Sequence, residues 1–85
     1  VNDATPEEMD VMRRHAAFLK DLLDGGKLLL AGPCLDGAYG VAVFTVTDAD
    51  EMRTILDADP AKSLFTKVEI HPMRTGLLAA SLRLP

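Results

Sequence analysis

One helix is written into the opening of this sequence at both of its ends. Thr5-Pro6-Glu7-Glu8 has the form of a start. Thr5 can accept from the free amides of the first turn, and Pro6 sits where a missing N–H costs nothing. Glu8 can reach back to complete a capping box. Gly25-Gly26 has the form of a stop, because glycine enters the left-handed closing conformation without a steric penalty. The helix predicted between them, to about Asp24, takes up so much of an 85-residue chain that the remainder suffices for one further layer. The expectation is therefore a single domain over residues 1–85, with 74–85 as a C-terminal tail. A chain this short buries only about 60–65% of its unfolded surface, so a partner subunit that adds burial is expected to help stabilise it.

The remaining elements follow from punctuation and periodicity. Lys27-Leu28-Leu29-Leu30-Ala31 reads as a short buried strand closed by Gly32-Pro33, and Asp36-Gly37 marks a turn. Residues 38–46, rich in Val, Phe and Thr, form the most convincing strand. A second helix opens at Thr47 or Asp48, with Glu51 completing a second possible capping box. Its buried stripe is Ala49, Met52, Ile55 and Leu56, and it ends near Asp59, because the residue before Pro60 is pushed out of helical geometry. Val68 and Ile70 alternate with Lys67, Glu69 and His71, which predicts a third strand over residues 65–71. The tail from Gly76 carries four leucines, more than a solvated tail normally has, and is expected to pack on this subunit or another. The order α-β-β-α-β makes this α+β chain a ferredoxin-like (β)αββαβ unit lacking its first strand. That strand is central, so about ten further residues are expected ahead of Val1, or a neighbouring chain in their place.

Charge narrows the function classes. Nine basic against thirteen acidic residues give a formal charge of −4, and the one adjacent basic pair, Arg13-Arg14, lies among Glu7, Asp10 and Asp21. A nucleic-acid partner is therefore not expected. Uninterrupted apolar runs such as residues 28–31 are far short of the roughly 20 residues that span a bilayer, so no membrane partner is expected either. No basic-then-apolar leader opens the chain, although it starts at Val1 rather than Met. Cys34 is the only cysteine, which precludes an intrachain disulfide and makes the reducing cytoplasm the expected compartment.

The most informative placement is His15. At about 100° per residue, Met9, Val11, Met12, Ala16, Phe18, Leu19, Leu22 and Leu23 sweep one arc of the first helix, and Asp10, Arg13, Arg14, Lys20, Asp21 and Asp24 fill the other. His15 falls inside the apolar arc. A neutral imidazole with one free nitrogen is a competent general base near pH 7; the plainer alternative is a core histidine bonded to a backbone carbonyl. Asp59 is held by Pro60, as a turn-forming carboxylate or as a positioned one. Tyr39 belongs to strand packing with its hydroxyl at a pocket edge. Lys62 and Ser63 could line a pocket beside Asp59, though a solvated turn explains them equally well. His71 is expected on a polar face, and Cys34 has no basic sequence neighbour to activate it. No His or Cys pair has ligand spacing, so no metal is expected. Residues 37–40 are not a phosphate loop, because the lysine is missing and a strand follows.

Taken together, these residues resemble the YCII-related (YciI-like) family. The matching features are Arg14-His15 with the leucines after it, Asp24-Gly25-Gly26-Lys27, Leu29-Leu30-Ala31-Gly32-Pro33 and the strand ending Val43-Phe44. Asp57-Ala58-Asp59-Pro60 and Val68-Glu69-Ile70-His71-Pro72 complete the set. The resemblance runs from about Thr5 to Met73, although the stretch from Cys34 to Tyr39 is shorter than in many relatives. It implies a ferredoxin-like subunit that pairs into a dimeric α/β barrel, with a pocket between helices and sheet. It also implies a His–Asp active-site pair at His15 and Asp59.

Three functions are in contention. The leading one is a cofactor-free lyase or isomerase acting on a small organic molecule, with His15 and Asp59 catalytic and Tyr39 and Ser63 binding substrate. Chemistry of this kind, including elimination from chlorinated aromatic rings, is associated with the resembled superfamily. The alternative is a non-catalytic small-ligand-binding or oligomeric assembly module. Cofactor-free oxygenation is the third, and three Phe, one Tyr and no Trp do not encourage it. A homodimer or higher oligomer is expected in either of the first two cases.

Overall fold

The computed structural model of the chain describes residues 5–81. Helix α1 runs Pro6–Asp24, strand β1 Leu28–Pro33, strand β2 Gly40–Phe44 and helix α2 Ala49–Ala58, followed by a 3-10 turn at Lys62–Leu64. Both expected signals at the ends of α1 operate. Thr5 N donates to Glu8 Oε1 at 2.9 Å, and Glu8 N donates to Thr5 Oγ1 at 3.1 Å. At the other end Gly26 takes φ +82°, while Gly26 N donates to Leu23 O at 3.1 Å and Lys27 N to Leu22 O at 2.9 Å. These two bonds form the Schellman closure, in which the last free carbonyls of the helix are satisfied by the chain leaving it.

Strands β1 and β2 pair antiparallel, with Leu28 opposite Phe44 and Leu30 opposite Val43. Between those pairs β1 advances two residues while β2 advances one, so β1 carries a bulge at Leu29. In a regular strand Leu28 and Leu30 would share a face. The bulge sends them to opposite faces, leaving Leu28 4% exposed and Leu30 50% exposed. The turn between the strands follows its sequence, with Asp36 Oδ1 accepting from Ala38 N at 3.0 Å and Gly37 at φ +76°.

Several expectations need correction. β1 starts at Leu28 and runs on to Pro33 instead of spanning 27–31, and β2 covers only the middle of the predicted 38–46. Residues 65–71 carry no strand, and the sheet of the described residues is two-stranded. In the split βαβ order the strand preceding α1 lies between β2 and this segment. None is present among the described residues, so the backbone of 65–71 has no ladder to join. Ala49 is exposed, leaving Met52, Ile55 and Leu56 as the half-buried stripe of α2. The broad arc of α1 is covered along one edge only. Val11, His15, Phe18, Leu19 and Leu22 are half-buried, whereas Met9, Met12 and Leu23 are exposed. The described part of the tail does not pack on this subunit, Leu77 being 98% exposed; Leu82 and Leu84 lie outside the described residues.

The second capping box is also rearranged. Asp48 Oδ1 accepts from Glu51 N at 2.8 Å as expected, but the Glu51 carboxylate passes over Asp48. It accepts from Thr47 N at 2.8 Å, from Thr47 Oγ1 at 3.1 Å and from Lys27 Nζ. This clamp ties the turn after α1 to the start of α2. The Lys27 hydrogen bond first, and the Thr47 amide second, hold the Glu51 carboxyl down to about 2 from 4.5. A depressed folded-state value means that the stabilisation is complete above the ordinary value and disappears as pH falls from 4.5 to about 2. Glu51→Gln is therefore expected to show a shallower loss of thermal stability on acidification through that window. Acid-unfolding profiles of parent and variant that superimpose would rule the clamp out as a source of stability.

Candidate active site

Among the described residues only Leu28, Ala61 and Asp59 are buried. A buried carboxylate in so small a core demands donors, since an unpaired one is costly to desolvate. Asp59 caps the C-terminal end of α2 in extended conformation, its own N–H donating to Leu56 O at 3.2 Å. Pro60 then turns the chain, and Ala61 N donates back to Asp59 Oδ1 at 2.8 Å. This is the turn-forming role that Asp before Pro commonly plays.

The same oxygen has a second partner. His15 Nδ1, from the covered edge of α1, lies 2.8 Å from Asp59 Oδ1, bridging 44 residues of sequence. The two readings weighed for Asp59 are therefore not exclusive, since one oxygen closes the turn and meets the imidazole. The Asp59 side chain is 6% exposed and that of His15 is 19% exposed, so the carboxylate is sealed while the ring keeps an opening. An ionised carboxylate only accepts, so Nδ1 carries the hydrogen in the neutral ring and Nε2 is left with its lone pair. The geometry thus selects a tautomer with one nitrogen tethered and the other available for proton transfer.

Phe65, just beyond the 3-10 turn, stands edge-to-face to the His15 ring with centroids 5.9 Å apart and planes at 79°. Such an arrangement constrains ring orientation. Phe65 also lines a cavity of about 260 Å³ between α2 and residues 65–70, shared with Leu56, Val68 and Ile70. Sequence reasoning placed Phe65 only at a strand start; the usable signal was an aromatic residue soon after the Asp59-Pro60 turn.

The remaining candidates are all exposed. Tyr39 is 67% exposed, next to β2 in the β1–β2 connection, and its carbonyl accepts from Cys34 N at 2.8 Å. Ser63 is exposed within the 3-10 turn. Neither has a side-chain hydrogen bond to His15 or Asp59, whose partners are each other and Ala61 N. The His71 side chain is 80% exposed and its Nε2 lies 3.2 Å from Glu69 Oε2. Among the described residues no group of three or more His, Cys, Asp or Glu side chains is placed to hold a metal ion, and no helix is long and apolar enough to cross a membrane.

The family model of the YCII-related domain matches residues 1–74. No curated protein and no solved structure matches the chain.

Proposed function

This chain belongs to the YCII-related domain family, and from that premise we propose that it is a cofactor-free acid–base enzyme of the lyase or isomerase type, acting on a small organic molecule through His15 and Asp59. The observation that carries this reading is the 2.8 Å contact between His15 Nδ1 and a buried Asp59 oxygen. In this mechanism Nε2 takes a proton from the substrate. The Asp59 carboxylate, fixed by Ala61 N–H, stabilises the imidazolium through the Nδ1 hydrogen bond, and Nε2 returns the proton at a neighbouring atom or to a leaving group. Tyr39 and Ser63, both exposed, remain the proposed substrate contacts. A panel of small aromatic, lactone and halogenated compounds tests the reading. Turnover that falls about 10²–10⁴-fold in His15→Gln is expected. A panel with no turnover, together with a His15→Asn protein that keeps the parent's ligand affinity, would refute catalysis.

A specific observation supports the second reading, a ligand-binding or assembly module. Met9 and Met12 on α1 and Leu30 and Val41 on the outer sheet face are all more than 40% exposed, and apolar surface of this kind favours association. A homodimer that covers the sheet face fits both readings, and the lone Cys34 fits a cytoplasmic setting. Leu30→Lys places a charge on that face without touching the buried Leu28 side. It is expected to convert the dimer to monomer in sedimentation velocity at micromolar concentration; an unchanged sedimentation coefficient would exclude this face as the interface.

A further inference from the structure

The cavity beside Phe65 has a composition that the acid–base reading does not require. It is an open hollow lined by the apolar Leu56, Phe65, Val68 and Ile70 together with two cations, Arg53 and Lys62, and one carboxylate, Asp57. Lys62 is committed, with Nζ 2.6 Å from Asp57 Oδ1. Arg53 follows Asp50 by three residues and precedes Asp57 by four, within reach of both along a helix face. It nevertheless makes no ion pair among the described residues, where the cations that do pair are Arg13, Arg14, Lys20, Lys27, Lys62 and Lys67. An uncommitted guanidinium at the edge of an apolar hollow, on a chain of formal charge −4, complements one planar anionic group attached to a nonpolar body. Arginine's donor fork matches a carboxylate bidentately.

We propose that this cavity binds a small organic carboxylate, with Arg53 holding the carboxylate and the apolar lining covering the hydrocarbon. The volume, about 260 Å³, is at the small end for ligand sites and restricts the body to roughly a single ring or a short branched chain. As the substrate class of the proposed enzyme, this rests on the acid–base reading of His15 and Asp59. Phe65 is the link, because it lines the cavity and touches the imidazole ring. The bound body packs on Phe65, the residue that the cavity shares with the imidazole ring, while Arg53 holds the anion at α2.

Benzoate, benzamide and inorganic phosphate titrated into ¹⁵N-labelled full chain separate the contributions of charge and body. Benzoate is expected to shift the amides of Arg53, Leu56, Phe65 and Ile70. Benzamide, the neutral counterpart, and phosphate, which lacks the body, should each bind at least about tenfold more weakly. Arg53→Gln, at an exposed position, should weaken benzoate about tenfold or more and leave benzamide unchanged. Arg53→Lys, which keeps the charge and loses the fork, should fall between. Equal binding of benzoate and benzamide, phosphate matching benzoate, or shifts confined to other residues would overturn the proposal. His15→Gln separates the two claims. It should keep benzoate binding while losing turnover, whereas a parent chain that binds benzoate and turns over no compound keeps the carboxylate site and rejects the enzyme. A parent chain that turns over substrate but does not bind benzoate, with turnover unchanged in Arg53→Gln, rejects the carboxylate site and keeps the enzyme.

Discussion

His15→Gln is expected to lower kcat by about 10²–10⁴-fold at saturating substrate, the usual contribution of a positioned general base. The loss is expected in kcat rather than in KM, because Nε2 is needed for proton transfer while hydrocarbon contacts hold the ligand. The fold should survive. Asp59 keeps its Ala61 N–H donor at 2.8 Å, and position 15 is only half-buried. Circular dichroism and urea unfolding of the variant serve as controls. A well-folded His15→Gln protein that retains turnover within a factor of two would remove His15 from the chemistry.

The second large effect concerns Asp59, where stability and activity should part company between two variants. Asp59→Ala removes the acceptor for the N–H of Ala61, which is 0% exposed, so a buried donor loses its protein partner. Leaving a buried donor unsatisfied costs about 1–3 kcal/mol, or roughly 4–8 °C in Tm per kcal/mol for a domain of this size. Asp59→Asn keeps an oxygen that can accept from Ala61 N–H and from Nδ1–H. It should cost only about 1 kcal/mol, because neutral hydrogen bonds replace charge-assisted ones. Both variants should be poor catalysts, since neither stabilises an imidazolium by charge. Urea unfolding at matched protein concentration reads the first comparison and kcat the second. Equal stability of the two variants would show that the turn does not depend on that oxygen. Full activity in Asp59→Asn would show that the carboxylate charge is not used.

Much of the candidate site was legible because its two side chains are each placed by local rules. Pro6, Glu8 and Gly25-Gly26 delimit α1, and the spacing of the apolar residues puts His15 among them before any tertiary contact is known. Pro60 ends α2 and holds Asp59 at its C-cap. Even the tight turn at Asp36-Gly37 and the Schellman closure at Gly26 depend on partners within five residues. Short closures of this kind carry little loop entropy and belong to the sequence that encodes them.

Contacts between distant segments were not legible in local pattern, and the pairing of His15 with Asp59 was expected only through the family resemblance. The Glu51 carboxylate had two donors available near its own helix start, and only the approach of Lys27, 24 residues earlier, decided where it points. Residues 65–71 have the alternation of a strand but carry none, because a strand needs a partner's backbone as well as its own pattern. The Leu29 bulge, invisible in a run of three leucines, turned Leu30 outward and Leu28 inward. Sequence alone determined the two capped helices, the turns and an imidazole on an apolar helix face, all of which are settled within a few residues of chain. Tertiary structure alone brought that imidazole to the Asp59 oxygen, set Phe65 against it and opened the hollow under Arg53, because these meetings depend on how separate elements pack.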